Sequence, residues 1–360
     1  MNGKKWIRTW FIIIIIITPT AGVFNYLIDP YGLNSNKNKF DDHLTSINKP
    51  NITKLKINLQ ADYYLIGTSR VKRVNPVIIE NYFLDKQVYN INISGATFRE
   101  NSMLAHKVIG NGNNIIYGFD AFSLNKNRLK QDKLNVLTNR YETYQKKIES
   151  NTIYSEFLSF DFLIMSMKDV VKRFLGVNLN QFTISENTRD YNTTLENVEE
   201  KLDLSRQEKV GPYTNFETVS EIDIIKLAKI ATKDDIFIIY PKYFYYYKSF
   251  QKYQNIEEQY FTAIKTLVKN TEAKVWSFYQ INSITTNEKN FDNNAWHFKP
   301  KIANLVFGKI YNDTSMTIPN NFGVLLTKDN IDEHLENLKE QIKKYDLDKT
   351  KHQHKYNSND

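Results

Sequence analysis

Two short stretches carry residues whose types and spacing suit chemistry. The first is Leu65-Ile66-Gly67-Thr68-Ser69-Arg70. It sets a serine just past an apolar run of strand length, after a glycine suited to a tight turn. A hydroxyl so placed stands at the carboxyl end of a strand, where amides at the start of a following helix can stabilise an oxyanion. The same residues also build plain turns and phosphate loops, although the lysine of a P-loop is missing. The second stretch is Phe291-Asp292-Asn293-Asn294-Ala295-Trp296-His297-Phe298-Lys299-Pro300. Of the six histidines, His297 alone sits in an aromatic-rich turn leading into a helical pattern. A general base needs an imidazole oriented by an acceptor, and acidic and amide residues lie just before this one. The competing reading is a packed histidine bonded to a backbone carbonyl. His43, His106 and His334 lack that setting and read as surface or packing residues. His352 and His354 have no companion ligands, so no metal site is expected. Arg70, beside the serine, is suited to hold an anionic group or to pair with Asp120 or Glu100, and the pair is the preferred reading.

The elements that must position these residues are legible as apolar runs of strand length at Tyr63–Ile66, Val88–Ile93, Ile115–Tyr117, Ile236–Tyr240 and Lys274–Tyr279. Their continuous rather than alternating apolar character indicates strands buried on both faces, as in a parallel sheet. Helical patterns at Phe162–Phe174, Glu221–Ala231 and Glu257–Val268 lie between them. Such alternation predicts an α/β sandwich with ligands at the carboxyl ends of the strands. Residues 31–55 read as a linker, residues 176–215 as a polar insertion and residues 346–360 as a disordered tail. A C-terminal extension over 313–345 carries a helix with Asp329 as its cap and an apolar stripe of Ile331, Leu335, Leu338, Ile342 and Tyr345. The cluster Tyr240, Tyr243, Phe244, Tyr245, Tyr246 and Tyr247 after the fourth strand suits either core packing or a platform for a sugar ring or acyl chain.

The N-terminus is a different kind of signal. Lys4, Lys5 and Arg8 precede an apolar run from Trp10 to Leu27 that includes six consecutive isoleucines. Its length is near the ~20 residues a helix needs to cross a bilayer, and Pro19 and Gly22 are tolerated there. Basic residues ahead of it predict a cytoplasmic N-terminus with the rest of the chain exported. Pro19-Thr20-Ala21 is a poor cleavage site, so residues 1–30 read as a retained single-pass anchor in contact with lipid over 10–27. The absence of cysteine excludes disulfides, thiolate metal sites and cysteine nucleophiles. Basic residues exceed acidic ones by 48 to 40, with both signs interspersed, which argues for a solvated surface and against nucleic-acid binding.

Taken together, the motifs and their order resemble the SGNH, or GDSL-like, hydrolase superfamily, in particular its membrane-anchored bacterial envelope proteins. The resemblance spans roughly Phe24 to Tyr345. It rests on Asn25-Tyr26-Leu27-Ile28-Asp29-Pro30-Tyr31-Gly32 after the anchor, Gly67-Thr68-Ser69-Arg70, Tyr89–Ala96, Gly118-Phe119-Asp120-Ala121-Phe122, His297-Phe298-Lys299-Pro300 and Phe322–Thr327. It implies a three-layer, flavodoxin-like sandwich over residues 56–312. It also implies Ser69 as nucleophile, His297 as base, and the amides of Ser69 and Gly95 as an oxyanion hole. Two departures stand out. Asp120 occupies the block where the family has an asparagine that donates to the oxyanion, and an ionised carboxylate only accepts. The family's aspartate three residues before the histidine is Asn294 here, with Asp292 five before. Either Asp292 or Asn294 then orients the imidazole.

The expectation is an extracytoplasmic ester hydrolase or O-acyltransferase of the cytoplasmic membrane, exposed to the periplasm or exterior, acting on an acylated envelope polysaccharide without a cofactor. The alternative is a catalytically degenerate protein of the same fold that binds an envelope glycan or membrane partner.

Overall fold

The structure is a computed structural model of the 360-residue chain. It describes residues 3–28, 61–83, 85–128, 141–142, 157–175, 213, 215–244, 246–247, 254–291 and 297–344. The linker at 31–55, the tail at 346–360, Tyr245, Asp292 and Asn294 lie outside the described residues, as does the insertion at 176–215 apart from Tyr213 and Asn215. Contacts divide the chain into two units, Met1–Gln60 with Glu142–Ser185, and Ala61–Tyr141 with Glu186–Asp360.

The larger unit is α/β. Its sheet has six strands in the order β2-β1-β3-β4-β5-β6: β1 (Tyr63–Ile66), β2 (Val88–Asn90), β3 (Asn114–Gly118), β4 (Ile236–Ile239), β5 (Lys274–Ser277) and β6 (Val324–Leu326). The first five pair in parallel and β6 runs antiparallel at the edge beside β5. Strands β2, β3 and β4 consist of side chains almost wholly removed from water, as the apolar character of most of their residues requires. The sequence reading found these five strands. It took β6 only as part of a C-terminal segment, because three residues at a sheet edge carry no usable period.

The same unit holds helices α2 (Pro76–Glu80), α3 (Phe98–Gly110), α4 (Ala121–Leu124), α6 (Glu221–Ile230), α7 (Gln254–Asn270), α8 (Pro300–Ile310) and α9 (Ile331–Lys344). Helix α3 packs on β1 and β3 and meets α6, which meets α7; α8 packs against α2. Their starts are chemically specified. Thr97 and Glu100 form a reciprocal capping box on α3, and Ser220 accepts from the Asp223 amide on α6. Helix α9 buries Ile331, Leu335, Leu338 and Ile342 as its stripe predicts, and the fifth member of the stripe, Tyr345, lies outside the described residues. Its cap differs from the expected Asp329. Thr327 and Asn330 exchange bonds, the Thr327 amide donating to Asn330 Oδ1 at 2.8 Å and the Asn330 amide to Thr327 Oγ1 at 3.3 Å. A hydroxyl and an amide three residues apart outcompete the carboxylate between them.

The smaller unit holds α1 (Gly3–Ile28) and α5 (Phe160–Phe174), which pack against each other. Helix α1 is long and apolar enough to cross a membrane. The helix at α5 was expected among those of the α/β sandwich; it pairs instead with the end of α1.

Candidate active site

Strand β1 ends at Ile66, and Gly67 turns the chain with φ +155°, a conformation that side-chain-bearing residues rarely adopt. A Cβ on Gly67 would also stand 2.4 Å from a Val71 methyl. A 3-10 turn over Val71–Arg73 follows. Asn90, at the end of β2, pins that turn: its amide donates to the carbonyls of Val71 and Val74 at 2.9 and 3.1 Å. Ser69 therefore sits at the carboxyl end of β1, held by backbone on both sides.

His297 arrives from the opposite end of the chain. Phe291 and Phe298 form an antiparallel bridge, and the Lys299 amide donates to the Asn290 carbonyl at 2.8 Å. Phe298 is fully buried and stacks on Tyr240, and Pro300 opens α8 at a position where its missing N–H costs nothing. The apolar neighbour and the helix start thus fix the histidine's backbone. Its Nε2 lies 2.7 Å from Ser69 Oγ. The two residues are 228 apart in sequence, so only the fold brings them together.

Burial is the largest influence on His297, followed by the guanidinium charges of Arg70 and Arg73. Together they push its pKa from 6.5 down to about 3, against the opposing pull of Asp120. A neutral imidazole with its proton on Nδ1 accepts from the serine hydroxyl at Nε2 and is ready to take that proton. Asp292 and Asn294, the two residues expected to orient Nδ1, lie outside the described residues.

Asp120 follows β3 and caps α4, accepting from the Ser123 amide at 3.3 Å. Its Oδ2 accepts from the Thr68 hydroxyl at 2.8 Å, and its Oδ1 stands 3.3 Å from Arg70 Nη1. Arg70 is only 3% exposed. Burial is the largest influence and opposes its charge, but the Asp120 carboxylate together with Tyr246, Tyr213 and Tyr260 outweighs it and the pKa is raised. The expected Arg70–Asp120 pair is present, and Glu100 serves the α3 cap. Both carboxylate oxygens are engaged by neighbours, so Asp120 is a structural acceptor rather than an oxyanion donor.

Gly95 lies in the turn after β2, beside β1, because the Ile93 amide donates to the Gly67 carbonyl at 2.9 Å. It has φ +67°, again favouring glycine. Arg128 donates to the carbonyls of Gly95 and Ala96 at 2.8 and 2.9 Å, which fixes how these peptides face.

Sequence reasoning missed Asn90, Thr68 and Arg128 as supports of the site. Each is polar and almost buried beside a motif, a combination that burial reveals and sequence does not. It also missed Lys242, 1% exposed, whose ammonium lies over the rings of Tyr246, Tyr260 and Tyr279 at 5.0, 5.2 and 5.6 Å. Burial and then Arg70 lower its pKa well below the lysine range. Tyr240, Tyr243, Phe244, Tyr246 and Tyr247 are all buried. They form core rather than an open platform, which corrects the sugar-platform reading. A cavity of about 540 Å³ lies along α3 between Phe98, His106, Tyr141 and Lys226, and neither Ser69 nor His297 lines it.

No protein-family model matches the chain, and neither a curated protein nor a solved structure matches it.

Proposed function

We propose that the protein is a membrane-anchored, extracytoplasmic serine esterase or O-acyltransferase of the SGNH type, with the three-layer flavodoxin-like sandwich that name implies. The observation that carries this reading is the 2.7 Å approach of Ser69 Oγ to a neutral His297 Nε2 at the carboxyl end of the sheet. Two such groups in hydrogen-bond reach are what an activated nucleophile requires. The strand order, with β1 flanked by β2 and β3, puts Ser69 at the switch point where parallel sheets hold ligands.

In this mechanism Ser69 Oγ attacks the carbonyl carbon of an acyl ester while His297 takes the hydroxyl proton. The amides of Ser69 and Gly95 hold the oxyanion. Collapse breaks the bond to the leaving alcohol, which takes the proton from His297. The acyl group then passes from Ser69 to water or to a sugar hydroxyl, His297 again acting as base and returning the proton to Ser69. Envelope polysaccharide is the substrate class by analogy with anchored members of the superfamily. The apolar helix α1 supports retention at the cytoplasmic membrane.

Full-length protein in detergent micelles, treated with a fluorophosphonate probe and mapped by mass spectrometry, tests this. Labelling of Ser69 that vanishes in His297→Ala establishes the activated serine. A folded sample without a label removes serine catalysis and leaves the second reading, a glycan- or partner-binding protein with the same fold. The observation favouring that reading is Asp120, a carboxylate where the family has an amide donor.

A further inference from the structure

Helix α5 is inverted with respect to water. At 100° per residue, Phe160, Met167, Val171 and Phe174 share one stripe, and Phe162, Ser166 and Asp169 share the opposite one. In a helix of a water-soluble unit the first stripe would be covered. Here Phe160, Met167, Val171 and Phe174 are 75, 56, 55 and 90% exposed, while Ser166 and Asp169 are buried.

The buried polar stripe faces α1. The Asn25 side chain donates to the Phe157 carbonyl at 2.6 Å, and the Ser166 hydroxyl donates to Asn25 Oδ1 at 2.8 Å. Gly22 allows the close approach, since a Cβ there would stand 2.6 Å from a Leu158 methyl. Small residues and bridging polar side chains are how helices pair where lipid surrounds them. The contact is made by the last two turns of α1, beside exposed Tyr26. Exposed Trp6 and Trp10 mark the other end. From Trp10 to Tyr26 the helix rises about 24 Å, close to the thickness of a hydrocarbon core, and aromatic residues favour its two boundaries. Asn25 thus sits at a boundary, and the apolar stripe of α5 continues the apolar surface of α1 at that level. Exposed Lys168 flanks the stripe, as expected of a helix lying among lipid headgroups.

From this we infer that α5 is an interfacial helix whose Phe160–Met167–Val171–Phe174 stripe seats in the outer boundary of the same bilayer that α1 crosses. The occupant of the stripe is lipid. The inference rests on the reading of α1 as a membrane anchor, and its test separates the two.

Because the chain has no cysteine, single cysteines can be introduced one at a time into full-length protein and tagged with an environment-sensitive fluorophore. The positions are Ile14→Cys in α1, Phe174→Cys on the exposed stripe, and Lys226→Cys on α6 as a solvent control. Each protein is reconstituted into phosphatidylcholine–phosphatidylglycerol vesicles with and without brominated acyl chains, and aqueous iodide is the opposing quencher. The expected result is bromolipid quenching at Ile14 and Phe174 and none at Lys226, with iodide quenching at Phe174 several-fold weaker than at Lys226. Quenching by bromolipid at Ile14 alone overturns the inference and leaves the anchor standing. In that case a Phe174 label shielded from both quenchers would assign the stripe to a second copy or a protein partner. Absence of bromolipid quenching at Ile14 overturns the anchor and the inference with it. Val171→Cys repeats the readout where Phe174→Cys fails to fold.

Discussion

Depressing a histidine's pKa makes it a weaker base but keeps it neutral, and at His297 the second effect governs where the site works. The ring is neutral above about pH 3. Ser69 labelling by a fluorophosphonate should therefore show no acid limb between pH 7 and pH 5, the interval in which an ordinary histidine would protonate. A limb near pH 6.5 would mean that the ring is neither kept from water nor reached by the Arg70 and Arg73 charges. The same shift bears on stability. The folded pKa lies below the unfolded value, so His297 contributes most above pH 6.5, and that contribution is lost as the pH falls toward about 3. His297→Gln should flatten the loss of denaturation midpoint across this window. Asp120 gives a second prediction. Asp120→Asn would supply the amide donor that the SGNH superfamily has in the block Asp120 resembles, yet it strands a buried guanidinium, at a cost of about 3–5 kcal/mol. Denaturant unfolding should show that loss, and Asp120→Asn combined with Arg70→Leu should recover most of it, because the charges leave together. Additive losses would show that the 3.3 Å pair is not coupled.

Elements turn these side chains into a site, and two glycines mark where the backbone leaves no slack. Gly67→Ala meets both a forbidden φ and a Val71 methyl 2.4 Å away. The turn must shift, and a displacement of about 1 Å at a nucleophile can lower its rate about a hundredfold. Ser69 labelling should fall by that factor while far-ultraviolet dichroism stays unchanged; an unaffected rate would mean the turn absorbs the methyl group elsewhere. Gly22→Val should separate α1 from α5, read as faster proteolysis after Lys168 in vesicles, and unchanged cleavage would mean the two helices do not depend on each other. These elements differ in how well the sequence exposes them. Strands β1, β3 and β4 were readable because burial on both faces leaves a nearly unbroken apolar run, and β2 and β5 because the apolar residues around them extend past the strand itself. Strand β6 was not, since an edge of three residues alternates between cover and exposure. Ser69 and His297 were found as strand-end and turn residues, and the Arg70–Asp120 pair was anticipated, but the Thr68 bond to the same carboxylate depends on two segments meeting and leaves no spacing to read. Helix α5 is the instructive case. Its 3.6-residue period was plain, but a period says only that a helix has two faces, not which face meets water, and here the assignment to the sandwich reversed them.

On the scale of the molecule, the chemistry and the apolar surfaces fall in different units. Sheet, Ser69 and His297 belong to the unit of 61–141 and 186–360, while α1 and α5 form the other. The sheet unit carries its own core, so the serine site has no structural need of the anchor. A form lacking residues 1–28 should keep Ser69 labelling within about twofold of the full chain, the scale of change expected when the altered region is remote from the reacting groups. It should not become freely soluble. Helix α5 keeps its exposed stripe, and seating a large apolar side chain in lipid contributes about 1.5–3 kcal/mol. The shortened protein should therefore sediment with vesicles, reversibly, as single amphipathic helices do. Phe160→Ser, Val171→Ser and Phe174→Ser together should weaken that partitioning at least about thirtyfold, since even half of three such contributions exceeds 2 kcal/mol. Labelling of Ser69 should be untouched by the triple change. If labelling fell with partitioning, membrane contact would be part of how the serine is activated, and the division of labour between the two units would have to be abandoned.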